Sequence, residues 1–98
     1  MKILTLTAFL DTGNKLIDPY KGRPIILIKK SLINTNNKKI LLVPYNTLNN
    51  NDLLKCIVPT KIFIHNIGYK TNFLIGLMDG VNIEGVDCIL NPKLLERI

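Results

Sequence analysis

Among the titratable side chains of this chain, Asp11 has the neighbours that could put it to work. The run Ala8-Phe9-Leu10-Asp11-Thr12-Gly13-Asn14 delivers a carboxylate from an apolar strand into a tight turn. Gly13 lets the backbone fold back closely, and the Thr12 hydroxyl can hydrogen-bond neighbouring main chain. A carboxyl held at the end of a stiff strand is partly shielded from water. Shielding raises the cost of ionising it and poises it for proton transfer. Activating a water between two carboxylates needs a second acid sharing one proton with the first. Asp-Thr-Gly occurs once in the chain, so that partner would have to come from a second copy. The plainer reading is an ordinary turn made of ordinary turn residues.

The other reactive side chains offer less. His65 has no second His or Cys at ligand spacing, and Cys56 and Cys88 fit no metal pattern. No metal and no cofactor are expected. A Cys–His catalytic pair is the weaker alternative to two buried thiols in a reducing compartment.

The elements that must position Asp11 follow from composition and pattern. A chain of 98 residues is read as one domain over 1–98, long enough for a core of its own. It is rich in Ile and Leu and has no Trp, a mix that favours strands over a helical bundle. The net charge of +6 comes from scattered lysines, while Arg, the preferred phosphate and base reader, occurs twice. That points to a solvated basic face, and nucleic acid is not expected as a partner. No apolar run approaches a membrane span. Met1-Lys2 leads straight into an alternating strand with no secretory leader, so any membrane part of a parent protein would lie outside this chain.

Along the chain, residues 2–10 alternate, with Leu4, Leu6, Ala8 and Leu10 on one face of a strand. Asp18-Pro19-Tyr20-Lys21-Gly22-Arg23-Pro24 is a loop. Ile25-Ile26-Leu27-Ile28 reads as a strand buried on both faces, and residues 29–34 as one helical turn. Residues 39–44 read as a strand stopped by Pro44. Residues 45–54 form a hairpin with a polar, mobile tip. Short strands flank Pro59, a turn lies at Asn66-Ile67-Gly68-Tyr69, and a strand over 70–77 crosses the core. Turns at Asp79-Gly80 and Glu84-Gly85 precede a last strand over 86–90. Asn91 then caps a short helix with Pro92 in its first position.

This succession resembles retropepsin-like aspartic proteases, in which each of two chains donates one Asp. More closely, Leu10-Asp11-Thr12-Gly13-Asn14-Lys15-Leu16 with Asp18-Pro19 and Pro24-Ile25-Ile26 resembles the sporulation sigma-E factor processing peptidases. Val43-Pro44-Tyr45 and Cys88-Ile89-Leu90-Asn91-Pro92 add to the likeness. Asn91 stands where retropepsins have Gly and where the sporulation family often has His.

The resemblance implies an all-β fold: a small closed retropepsin-like barrel with a short C-terminal helix. It implies an aspartic endopeptidase, with Asp11 catalytic and Thr12, Gly13 and Asn14 supporting the active-site loop. It further implies a C2 homodimer, an inactive sporulation sigma factor carrying its pro-segment as substrate, and a secreted signalling protein acting on the parent. The parent would hold the membrane through an N-terminal part, with this domain on its cytosolic face. Tyr45, Leu48, Leu53 and Leu54 of the polar-tipped hairpin are expected to line the substrate groove. Dimerisation would draw on the N-terminal strand and residues 94–98, short elements that imply affinity of about micromolar or poorer. The competing class is a small basic β-barrel binding module, for protein or nucleic acid, whose Asp-Thr-Gly turn is structural.

Overall fold

The computed structural model describes residues 4–46, 51–79 and 84–96. Its strands are β1 (Ala8–Leu10), β2 (Ile25–Lys29), β3 (Ile40–Asn46), β4 (Asn51–Ile57), β5 (Ile62–Ile64), β6 (Gly68–Lys70), β7 (Leu74–Met78) and β8 (Cys88–Leu90). Single 3-10 turns lie at Lys30–Leu32 and Pro92–Leu95. The fold is all-β, as the aliphatic composition implies.

A six-stranded sheet runs β1-β8-β2-β7-β4-β3, and β5 and β6 form a separate hairpin. Among the described residues the expected closed barrel is not formed. Closure would require the two edge strands, β1 and β3, to pair. β1 has only three residues, and it ends in the Asp11 turn before it can extend further. The sheet therefore stays open, with its edges at opposite ends of the strand order.

The centre of the sheet is the parallel pair β2–β7, in register from Ile25↔Leu74 to Lys29↔Met78. Side chains alternate between faces along a strand. Ile26 and Ile28 accordingly join Ile57, Phe73, Ile75, Cys88, Leu90 and Leu94 in one cluster. Ile25 joins Val43, Leu54, Cys56 and Leu74 in the other. That is why the run from Ile25 to Ile28 has no polar position: both faces are covered. Gly76 sits where β7 is crowded, and a Cβ there would stand 2.7 Å from Leu54 Cδ2 and 2.9 Å from Leu27 Cδ2.

Several boundaries differ from the pattern. The N-terminal strand is shorter than its alternation suggests because β8 offers only three partners, Ala8↔Cys88 to Leu10↔Leu90. Its entry is fixed instead by Thr7, whose N–H donates to Asp87 Oδ2 at 3.1 Å and whose carbonyl accepts the Asp87 N–H at 2.8 Å. β3 runs through Pro44, which pairs with Leu53, to Asn46. An edge strand tolerates a residue without an N–H on its open side. The stretch over 70–77 is split, with Lys70 closing the β5–β6 hairpin and Leu74 opening β7. The C-terminal helix is the 3-10 turn, capped as its sequence specifies: the Asn91 side chain accepts from the Lys93 N–H, with Pro92 next in line. Gly80, Ile98 and the hairpin tip over 47–50, including Leu48, lie outside the described residues.

Candidate active site

β1 runs parallel to β8, with Leu10 opposite Leu90, so the two strands end side by side. Asp11 follows one end and Asn91 the other. The chain turns sharply at Asp11: the Gly13 N–H donates to Asp11 Oδ1 at 2.9 Å, and the Asn14 N–H donates to the Asp11 carbonyl at 2.9 Å. This is an Asx turn, in which the side chain takes the place of a backbone acceptor. A Cβ at position 13 would come within 3.2 Å of Asp11 Oδ1 and press on the carboxylate. Asp11 is half-buried, while Thr12 and the preceding Phe9 and Leu10 are exposed.

Behind the turn, two buried amides meet. Asn14, 7% exposed, donates from Nδ2 to the carbonyls of Ile25 at 3.2 Å and Leu90 at 3.4 Å, and accepts the Leu16 N–H at 3.2 Å. Asn91, 1% exposed, donates to the carbonyls of Leu16 at 2.9 Å and Ile25 at 3.4 Å. A carbonyl oxygen has two lone pairs, so Ile25 can serve both asparagines. Among the described residues, no buried side-chain nitrogen or oxygen lacks a partner.

The loop from the Asp11 turn into β2 is held by a second polar device. Asp18 is 0% exposed and paired with the buried Arg23 through its Nε. Its other oxygen accepts the N–H groups of Tyr20 at 2.6 Å and Lys21 at 3.3 Å. Burial alone would push this carboxyl up, but the Arg23 guanidinium and the two backbone donors outweigh it and hold it below the ordinary carboxylate value. The Tyr20 hydroxyl donates to the Leu42 carbonyl at 2.8 Å, tying the same loop to edge strand β3. Reading the Asp18-to-Pro24 stretch only as turn residues overlooks this pair. The signal was an Asp and an Arg bracketing a Pro–Gly loop, spaced to close it.

Tyr45, Leu53 and Leu54 of the β3–β4 hairpin line one cleft of about 380 Å³, together with Leu16, Leu27 and Leu77. Leu54 is buried in the core and Leu53 is 56% exposed, as consecutive strand residues facing opposite ways must be. Leu16 connects this cleft to the Asp11 turn through its N–H bond to Asn14. Asp11 itself is not among the lining residues.

His65 is exposed in the β5–β6 turn, whereas Cys56 and Cys88 are buried in β4 and β8. Burial, with smaller contributions from Asp18 and Asp87 respectively, pushes each thiol up to about 11. Among the described residues, no group of three or more His, Cys, Asp or Glu side chains comes together to hold a metal. No helix among them is long and apolar enough to cross a membrane.

Residues 1–39 match the family model Peptidase_U4, described as sporulation factor SpoIIGA. The chain resembles a sporulation peptidase. The matched segment carries β1, the Asp11 turn, the Asp18–Arg23 loop and β2, and stops short of the β3–β4 hairpin. It supports a peptidase role in sporulation through the part of the chain that holds the candidate acid. Neither the curated proteins nor the solved structures gave a match.

Proposed function

We propose that this domain is one half of an aspartic endopeptidase. Two copies would bring their Asp11 carboxylates together on a two-fold axis. The single observation that carries the reading is that the segment matching a peptidase family is the one in which β1 ends at the Asp11 turn. Carboxylates a few Å apart cannot both ionise easily, so the pair retains one proton near neutral pH. The ionised member takes a proton from water, and the protonated member polarises the scissile carbonyl. The exposed Phe9, Leu10 and Thr12 beside the turn are available to an isologous partner.

The substrate proposed is an inactive sporulation sigma factor, cleaved to release its pro-segment at the cytosolic face of the bacterial membrane. A membrane part of the parent protein, answering a secreted signalling protein, would bring two copies together. Tyr45 would face the bound peptide, with Leu54 packed beneath the same face of the hairpin and Leu53 on the other face, and Thr12, Gly13 and Asn14 would support the catalytic loop. The test is co-expression of the chain with a pro-sigma factor. Asp11→Ala is expected to abolish processing while the far-ultraviolet circular dichroism stays that of the wild type. Full processing by Asp11→Ala would end the aspartic protease reading.

The binding-module alternative draws on the β5–β6 hairpin. Phe63 and Tyr69 form an exposed edge-to-face pair at 5.0 Å, with Lys61 Nζ 4.7 Å from the Tyr69 ring centre. Affinity for single-stranded nucleic acid that falls steeply with salt, lost in Tyr69→Ala, would favour that function.

A further inference from the structure

We infer that Asn91 is a positioning residue for Asp11, acting through Asn14, so that the C-terminal turn and the catalytic loop are set as one unit. The inference rests on the aspartic protease reading for its catalytic consequence, but its structural core stands on the hydrogen bonds alone.

Leu16 is gripped at both of its backbone groups by different asparagines. Its N–H goes to Asn14 Oδ1 at 3.2 Å, and its carbonyl takes Asn91 Nδ2 at 2.9 Å. The two side chains meet again on the Ile25 carbonyl, at 3.2 and 3.4 Å. Asn14 also reaches across to the Leu90 carbonyl, immediately before Asn91. The result is a closed polar circuit through four segments: the Asp11 turn, the loop backbone at Leu16, the start of β2 and the end of β8. Asp11 lies three residues before Asn14 and is bonded to it through the turn. A shift of Asn91 therefore reaches Asp11 by way of Leu16, Ile25 and Asn14.

What separates Asn91 from an ordinary buried amide is how little the fold needs its two donations. Without them, the Ile25 carbonyl keeps Asn14, and the Leu16 carbonyl keeps the Ile25 N–H at 3.1 Å. No buried acceptor is left bare, so the large penalty for an unsatisfied group does not arise. The third bond, from the Lys93 N–H to Asn91 Oδ1 at 3.0 Å, is a cap that Ser can replace. Asn91→Ser thus removes the circuit's second amide and retains the cap.

Hydrogen exchange and kinetics on the full chain give separate readouts. In Asn91→Ser, the Gly13 and Asn14 amides are expected to exchange about 10-fold faster than in the wild type, while core amides of β2 and β7 are unchanged. With a pro-sigma factor as substrate, kcat is expected to fall about 10-fold or more with KM within about 2-fold, as a misplaced acid predicts. The pH profile of kcat should also change shape, because two apposed acids titrate as a pair whose spacing sets both limbs. Unchanged exchange at Gly13 and Asn14 overturns the positioning role whatever the activity. Faster exchange with kcat and its pH profile unaltered overturns its catalytic consequence. If the wild type shows no Asp11-dependent cleavage, the protease reading fails, and the exchange result alone decides whether Asn91 holds the loop.

Discussion

Replacing Arg23 by Met tests whether the loop between the Asp11 turn and β2 depends on a buried charge pair. Asp18 is fully buried and Arg23 is 8% exposed. Met keeps much of the apolar volume but removes the cation from a carboxylate that cannot reach water. Breaking a buried pair by deleting one partner costs about 3–5 kcal/mol. The N–H groups of Tyr20 and Lys21 still serve the stranded carboxylate, which places the expected loss near the lower bound, about 3 kcal/mol. For a domain of this size that is a large share of a total stability of about 5–15 kcal/mol. With a urea m-value of about 1.5 kcal/mol/M, the midpoint should fall by about 2 M.

The loss should depend on pH with a defined sign. In the wild type the Asp18 carboxyl is held below its ordinary value. Its stabilisation is therefore present above the unfolded value of about 3.9 and is lost as pH falls through the lower folded value. Without Arg23, burial is opposed only by the two backbone donors, and the carboxyl moves up. The gap between variant and wild type should thus be widest at neutral pH and close as the solution is acidified below about pH 4. Urea melts at a series of pH values measure it. A loss below about 1 kcal/mol at pH 7, or one that does not change with pH, would show that water reaches the pair and that the loop is not held by it.

Other perturbations give independent checks. Gly76→Ala forces a methyl against Leu54 and Leu27 and should cost about 1–3 kcal/mol by overpacking, read as a lower denaturation midpoint. Both thiols stand at about 11 and are buried. Iodoacetamide at pH 8 should therefore label the native chain negligibly and the urea-unfolded chain fully, and prompt native labelling of either Cys would contradict the packing. Sedimentation over a concentration series should show a dimer that dissociates at about micromolar concentration. A dimer persisting at nanomolar concentration would remove association of this domain as a point of control.

The parts of the fold legible in the sequence are those where one local pattern has one solution. Ile25-Ile26-Leu27-Ile28 and Phe73-Leu74-Ile75-Gly76 lack polar positions because both faces of β2 and β7 are covered. Asn91-Pro92 spells a capped turn, and that turn is present. What could not be read depends on partners distant in the chain. The alternation from Leu4 to Leu10 cannot reveal that β8 pairs with only its last three residues. Pro44 reads as a stop unless β3 is known to be an edge. The open sheet follows from the shortness of β1, which hydrophobic pattern does not report.

The site divides in the same way. Asp11, Thr12, Gly13 and Asn14 are contiguous, so the tight turn with Gly13 beside the carboxylate was legible. The amide circuit was not, because Asn14 and Asn91 meet on a carbonyl of a third segment. Nor was the Asp18–Arg23 pair, since a loop rich in Pro and Gly draws the eye to backbone conformation and away from its charges.

A shared active site would contain two Asp11 side chains, one from each of two chains. Mixing wild-type and Asp11→Asn chains at constant total concentration, before adding a pro-sigma factor, tests it most directly. If a site needs both acids, the cleavage rate follows the square of the wild-type fraction, and an equal mixture retains about a quarter of the rate. A rate that falls linearly, to about half in the equal mixture, would show that each chain works alone and would contradict the shared site.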